Sequence, residues 1–202
     1  MRNHLMIDIE TLGTGTFPVL LSLGAVAFDP WRKFGFMDVP PFYEVVDADS
    51  CLNFGAKVDF TCIKWWATDE TIPPEARAAA FKGGAADRSF VGMVISRWMA
   101  YCQLHKIEYI WSHGISFDAC AMMRYVEKLR INDGRWPVSF RNNRDTRTLW
   151  HLCPPELMSV YDDKGRLEML SGGKAHQPVY DCMVQALRVQ KAYAHLRVRE
   201  SM

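Results

Sequence analysis

The sequence predicts an α/β fold: a mixed sheet opened by an antiparallel hairpin, with a crossover helix and a C-terminal helix packed on it. Three observations carry this. Apolar runs at residues 4–10 and from Val19 to Phe28 flank the turn-forming stretch Gly13-Thr14-Gly15-Thr16-Phe17-Pro18, the pattern of a hairpin. A short apolar segment, Glu108 to Ser112, sits between two stretches with helical spacing. The last apolar stripe, Val179, Cys182, Ala186, Val189, Tyr193 and Leu196, repeats at three and four residues and suits a helix lying on a sheet.

In chain order, residues 4–10 are the first strand and Val19 to Phe28, closed by Asp29-Pro30, the second; a third, around Phe42 to Val46, extends the hairpin. Helical spacing follows over Phe60 to Ala67, Pro74 to Phe81 and Phe90 to His105, the last with Phe90, Val94, Trp98, Tyr101 and Cys102 on one core-facing side. After the strand Glu108 to Ser112, a helix runs from about Ser116 to Arg130, with Ser116 as its N-cap and Met122, Val126 and Leu129 inward. Residues 131–144 read as a loop rich in Asn, Gly and Arg, Asp145 to Leu152 as a short helix, and 153–174 as the least structured part. The final helix starts near Pro178, where proline suits the first turn.

The bulk numbers narrow the classes. A chain of 202 residues, 49% hydrophobic and 23% charged, fits one globular domain over 1–202 with ample core material. Lys+Arg is 24 and Asp+Glu 23, so the net charge of +1 offers no global attraction for nucleic acid, and any such partner needs a local patch. The start, Met1-Arg2-Asn3-His4-Leu5, has no long apolar run, and nothing reaches the length of a membrane span, so a soluble, cytoplasmic protein is expected. Six cysteines, at 51, 62, 102, 120, 153 and 182, show no CxxC pair and are expected as free thiols rather than a zinc site.

Asp8 and Glu10, in Leu5-Met6-Ile7-Asp8-Ile9-Glu10-Thr11, project from one face at the end of an apolar strand, because second neighbours on a strand share a face. Two such acids are tolerable if solvated, if one is protonated, or if a divalent cation lies between them. Asp118, at the start of the helix after the central strand, and His176 with Asp181, around the start of the last helix, are candidates to join them. Each also has a plainer role: Asp118 as a first-turn partner of backbone amides, His176 as a surface histidine, Asp181 as a solvated face residue. Together the four carboxylates and water form the donor set of Mg²⁺ or Mn²⁺, a two-ion clamp serves phosphodiester cleavage, and a near-neutral histidine takes a proton from water. His176 and Asp181 lie roughly 140° apart on a continuous helix, which places His176 before the helix, on a loop that Gly172 and Gly173 make mobile.

The set Asp8-Ile9-Glu10-Thr11 with Leu23 to Pro30, then Ser116-Phe117-Asp118, then Ala175-His176-Gln177-Pro178-Val179-Tyr180-Asp181, resembles the three motifs of the DEDDh family of 3′-to-5′ exonucleases. Ile63-Lys64-Trp65-Trp66 with Pro74-Glu75-Ala76-Arg77, and Trp136-Pro137 with Asn143-Arg144-Asp145-Thr146-Arg147-Thr148, are similar to its phage and prophage branch, exonuclease VIII-like and similar to a bacterial exoribonuclease. The resemblance implies an RNase H-like mixed five-stranded sheet flanked by helices. It implies a two-metal hydrolase, using Mg²⁺ or Mn²⁺, that releases nucleoside 5′-monophosphates from a DNA or RNA 3′ end. It further implies Asp8, Glu10, Asp118 and Asp181 as the metal-binding acids, His176 as the general base, and Thr11 and Leu12 as contacts to the terminal nucleotide. Phe117, inside the second motif, is a further substrate contact. Relatives of this branch include dimers, so a homodimer stays open. His113 stands where the family often has Asn, and His176-Gln177-Pro178 where it commonly has His-Asn-Ala.

Trp65 and Trp66 diverge by about 100° on a helix, so one is expected in the core and the other free to stack on a base. Arg144, in a basic cluster with Arg141 and Arg147, is a candidate for phosphates, although Asp145 and Arg147 can instead pair locally. The alternatives to an exonuclease acting on DNA or RNA are one restricted to RNA, a silent nucleic-acid-binding module on the same fold, and acids that are unconnected caps.

Overall fold

The computed structural model describes residues 3–36, 39–81 and 88–197. Five strands form one sheet in the order β3-β2-β1-β4-β5, with β1 (Asn3–Thr11) at its centre. β2 (Leu20–Phe28) runs antiparallel to β1, with Asp8 opposite Gly24 and Glu10 opposite Ser22. β3 (Phe42–Val45) extends the hairpin antiparallel. β4 (Ile107–Ser112) and β5 (Asn143–Asp145) add in parallel on the other side. Among the described residues no helix is long and apolar enough to cross a membrane.

Alternation along β1 sorts the core into two layers. Leu5, Ile7 and Ile9 face a cluster that contains Val94, Ile95 and Trp98 of α4 (Val91–Leu104) and Met122 and Tyr125 of α5 (Asp118–Lys128). Met6 faces the opposite layer, built on Cys182, Ala186 and Val189 of α8 (Pro178–His195). Asp8 and Glu10 share the parity of Met6, so the same period of two that buries Met6 aims both acids at the first turns of α8.

What lets that turn come close is Gly24. A Cβ there would lie 2.5 Å from Pro178 Cβ and 2.7 Å from the Pro178 carbonyl carbon. The helix therefore rests directly on β2 at the residue paired with Asp8, and one turn in, Cys182 Sγ reaches the carbonyls of Met6 and Gly24 at 3.5 and 3.6 Å. Gly24→Val is expected to lower the melting temperature by about 4–10 °C, from overpacking worth about 1–3 kcal/mol, and to lift the first turn of α8 off β2. Thermal denaturation checks this.

The shorter elements show where local pattern gives way to tertiary contact. α2 (Phe60–Thr68) and α3 (Pro74–Phe81) occupy the expected stretches, and α6 (Thr146–His151) starts after the Asp145 side chain accepts from the Arg147 amide. α1 (Ala48–Asn53) is too short to show a period; it is held by Ser50, whose hydroxyl accepts the Val91 amide at 2.9 Å. β5 falls in the expected loop 131–144, and its polar residues become a strand by pairing with β4. In 153–174, expected to be the least structured part, α7 (Lys164–Ser171) forms: Leu167 is fully buried under α8, and Asp163 pairs with both Lys33 and Lys191. Phe90, placed in the core by its spacing, is 42% exposed at the cap of α4, where it meets Phe54 edge-on; Leu196 likewise ends exposed beyond α8. All six cysteines are free.

Candidate active site

Because Met6 already pairs with Trp111, β4 ends short of β1 and leaves the end of the central strand open. The chain turns back across that end at Gly114, whose φ of +105° is a backbone conformation suited to glycine. The Phe117 amide then bonds the Gly114 carbonyl, and Asp118 opens α5. Ser116 lies inside this turn and does not cap the helix; the N-cap position is Phe117, without a side-chain bond. Asp118 is not a solvated first-turn acid but 5% exposed, in reach of the Ile9 amide.

Asp181 comes from the first turn of α8, and His176 from the stretch just before the helix, where its φ of +60° is left-handed. That conformation costs a non-glycine residue about 1 kcal/mol or more and is held locally. The His176 amide bonds the Asp181 carboxylate, while the Gln177 side chain accepts the Lys174 amide at 2.6 Å. Lys174 in turn pairs with Glu75 of α3 at 2.5 Å. Donor atoms of Glu10, His176 and Asp181 all lie within 4.8 Å of one another.

The electrostatics show how tightly the acids are gathered. Burial pushes the carboxyls of Asp8 and Glu10 well above the usual carboxylate range, and the neighbouring acids push in the same direction: Asp118, Asp181 and Glu10 on Asp8, and Asp181 and Asp118 on Glu10. Burial likewise raises Asp118 to about 7 against the pull of backbone amides and Arg147, and Asp181 to about 7 against the His176 amide and Arg188. Among the described residues none of the four forms an ion pair with lysine or arginine. The direct side-chain bond to Asp8 is a weak donor, Gln185 Nε2 at 3.2 Å, and Gln185 Oε1 stays buried without a partner. Hard oxygen donors that repel each other and have no ion-pair partner among the described residues fit a divalent cation of the Mg²⁺ or Mn²⁺ kind.

This arrangement makes metal-free stability fall with pH. A carboxyl whose folded pKa is raised from 3.8 to about 7 binds its proton more tightly when folded, so its contribution is present below pH ~4 and lost as pH rises through ~7. Between pH 5 and 8 the metal-free melting temperature is expected to drop by about 10 °C, and Mn²⁺ at pH 8 is expected to restore it. Thermal denaturation across pH with and without Mn²⁺ checks this, and a flat metal-free profile would contradict the clustering.

Next to Glu10 a cavity of 410 Å³ is lined by Thr11, Trp65, Trp66, Phe117, Thr14 and Cys62 among others. Trp66 is 1% exposed, and its indole N–H holds the Thr11 carbonyl at 2.9 Å. Trp65 is partly exposed, its ring 5.6 Å from that of His176. Leu12, expected to touch substrate, is partly buried and packs against two apolar clusters. The guanidinium of Arg144 lies over Tyr109 at 4.8 Å and donates to the carbonyls of Arg141 and Asn143. Gln185 and Arg188 were not singled out from sequence, yet their spacing of four and seven from Asp181 puts them on its helical face, a polar break beside the apolar stripe of α8.

The exodeoxyribonuclease of Enterobacteria phage T4 is 27% identical over 212 residues, covering 93% of this chain and 87% of the relative. E. coli exonuclease I bound to a 5cy-dA13 oligonucleotide superposes with a TM-score of 0.62 at 16% identity, over 96% of this chain, which spans 41% of that one. Exonuclease X bound to 5′ overhanging duplex DNA gives 0.55 at 17%, over 97% of this chain and 94% of that one. The five-stranded sheet and its helices are thus the RNase H-like exonuclease fold. With the model of the 3′-5′ exoribonuclease Rv2179c-like domain matching residues 3–193, the chain belongs to that family and is a hydrolytic 3′-5′ exonuclease.

Proposed function

We propose that this single exonuclease domain is a metal-dependent enzyme of the DEDDh type, which hydrolyses the last phosphodiester of a DNA or RNA 3′ end and releases a nucleoside 5′-monophosphate. The observation that carries the reading is the convergence of four carboxylates and one imidazole at the end of the central strand, with none of the acids in an ion pair among the described residues. Asp8, Glu10, Asp118 and Asp181 would hold two Mg²⁺ or Mn²⁺ ions. Such ions supply a lowered pKa for the attacking water and charge stabilisation for the leaving 3′-oxygen.

The remaining work falls to the chain. His176 receives the proton of the attacking water; burial lowers its pKa, Asp69 opposes that, and an imidazole kept neutral is ready to accept. Gln185 orients Asp8 through its amide. The cavity beside Glu10 takes the terminal base, with Trp65 as the stacking face, Phe117 and Thr11 as walls, and Trp66 fixing the Thr11 backbone from behind. Placement in the exonuclease VIII-like branch rests on Trp65-Trp66 and on Trp136, whose indole N–H bonds Asn143 at 3.0 Å and ties the two halves of that motif together.

Matched DNA and RNA oligonucleotides, single- and double-stranded and labelled at the 5′ end, test the reading when incubated with Mn²⁺. A ladder shortening from the 3′ end, with monophosphate as product and no activity in chelator, is expected. Internal cleavage, or metal-independent release, would overturn it. The same assay chooses between ribose and deoxyribose, which differ by a 2′-hydroxyl at the terminal sugar.

A further inference from the structure

Of the clustered arginines, the structure spends two elsewhere. Arg141 lies over the Phe140 ring at 5.1 Å and Arg144 over Tyr109. Arg147 is different. It is exposed, and its charge acts on Asp118. Its Nε donates to His113 Nε2 at 3.4 Å, and its guanidinium lies against Gly114, where a Cβ would sit 3.3 Å from Cζ and from Nη1. Among the described residues its Nη groups have neither a hydrogen bond nor an ion pair. Arg188, whose charge acts on Asp181, is by contrast committed: Nε donates to the Met158 carbonyl at 3.0 Å and the guanidinium covers Trp150 at 4.4 Å.

We propose that Arg147, aimed by His113, binds a backbone phosphate of the substrate strand beside the acid cluster. His113 is built for this. Arginine has no lone pair to offer, so His113 Nε2 must be the bare nitrogen, and its Nδ1–H then donates to Thr146 Oγ1 at 2.9 Å. Thr146 is fully buried, and the imidazole lies on the Trp150 ring at 4.2 Å, so the acceptor is held rigidly. Burial, with the charges of Arg147 and Arg188, lowers the His113 pKa to about 4 and keeps that nitrogen bare at neutral pH. The glycine at 114 leaves room for the guanidinium. A forked cation with free N–H groups is matched to phosphate oxygens, and it would be the cation that draws a polyanion toward a site lined with acids. His113 is thus a positioning residue and Arg147 a substrate-binding one.

The inference rests on the exonuclease reading, and the two are tested separately. Turnover is blocked with Asp118→Asn, and binding of a fluorescent single-stranded oligonucleotide is followed by anisotropy in Mn²⁺ over a range of salt. Adding Arg147→Ala is expected to weaken binding about tenfold or more and to flatten the slope of log K against log salt by about 0.7, one phosphate contact on a single strand. Arg147→Lys should keep the slope. His113→Ala should weaken binding while His113→Gln, whose carbonyl can accept from Nε, recovers it. An unchanged slope in Arg147→Ala overturns phosphate binding, and equal losses in the two His113 variants overturn the positioning role. Failure of the parent enzyme to shorten any oligonucleotide would instead strike the exonuclease reading.

Discussion

Asp118→Ala is expected to lower Mn²⁺-dependent nucleotide release by about 10³-fold or more, a loss of about 4 kcal/mol of transition-state stabilisation, while the protein stays folded. The two halves of this result have one cause. Asp118 is buried, its charge acts on Asp8 and Glu10, and its own charged form is opposed by desolvation. Removing it deletes a donor from the proposed metal site and also relieves repulsion in the metal-free fold. At pH 8 without metal, Asp118→Ala should therefore melt no lower than the parent, and the fall of stability between pH 5 and 8 should shrink. A purely structural cap would behave in the opposite way, with activity retained and stability lost by about 1 kcal/mol. Mn²⁺ calorimetry should show weakened or missing heat in the variant, and unaltered activity would sink the metal-ligand assignment.

His176→Ala is expected to slow turnover by about 10²–10⁴-fold, the range for losing a general base, with a much smaller effect on Mn²⁺ affinity. Geometry alone does not separate the base from a ligand, since His176 shares its 4.8 Å cluster with Glu10 and Asp181; the split between rate and metal affinity does. Its pH profile gives a second check. The activity of the parent should rise as the imidazole loses its proton, with a midpoint below the ordinary histidine value because burial favours the neutral ring. The His176→Ala variant should lose that limb. Equal loss of turnover and of metal binding would argue that the ring is a ligand.

Much of the site could be read from residue spacing. The period of two puts Asp8 and Glu10 on one face of β1, and a histidine five residues before an aspartate cannot share that aspartate's helical face, so His176 had to come from the turn before α8. The Trp65-Trp66 pair also divides as a helix requires, with Trp66 buried and Trp65 partly exposed. The arginines could not be ranked in this way. Arg144 and Arg147 belong to one basic stretch with similar neighbours, and only the parallel pairing of β5 with β4 turns Arg144 toward Tyr109 while the start of α6 carries Arg147 back to Gly114. Phe90 shows the same limit, its spacing placing it in the core and the structure leaving it 42% exposed.

The sequence by itself determined the hairpin, the crossover and final helices, and marked the acids and the histidine as candidates, because those follow from periodicity, turn chemistry and residue type over short distances. The tertiary structure decided that the five groups meet. That required β1 to be central and β4 to stop early, and it required Gly24 to leave room for α8 opposite Asp8. It also decided which arginine stands free beside them. Both outcomes depend on contacts between residues far apart in the chain, whose register no local pattern specifies.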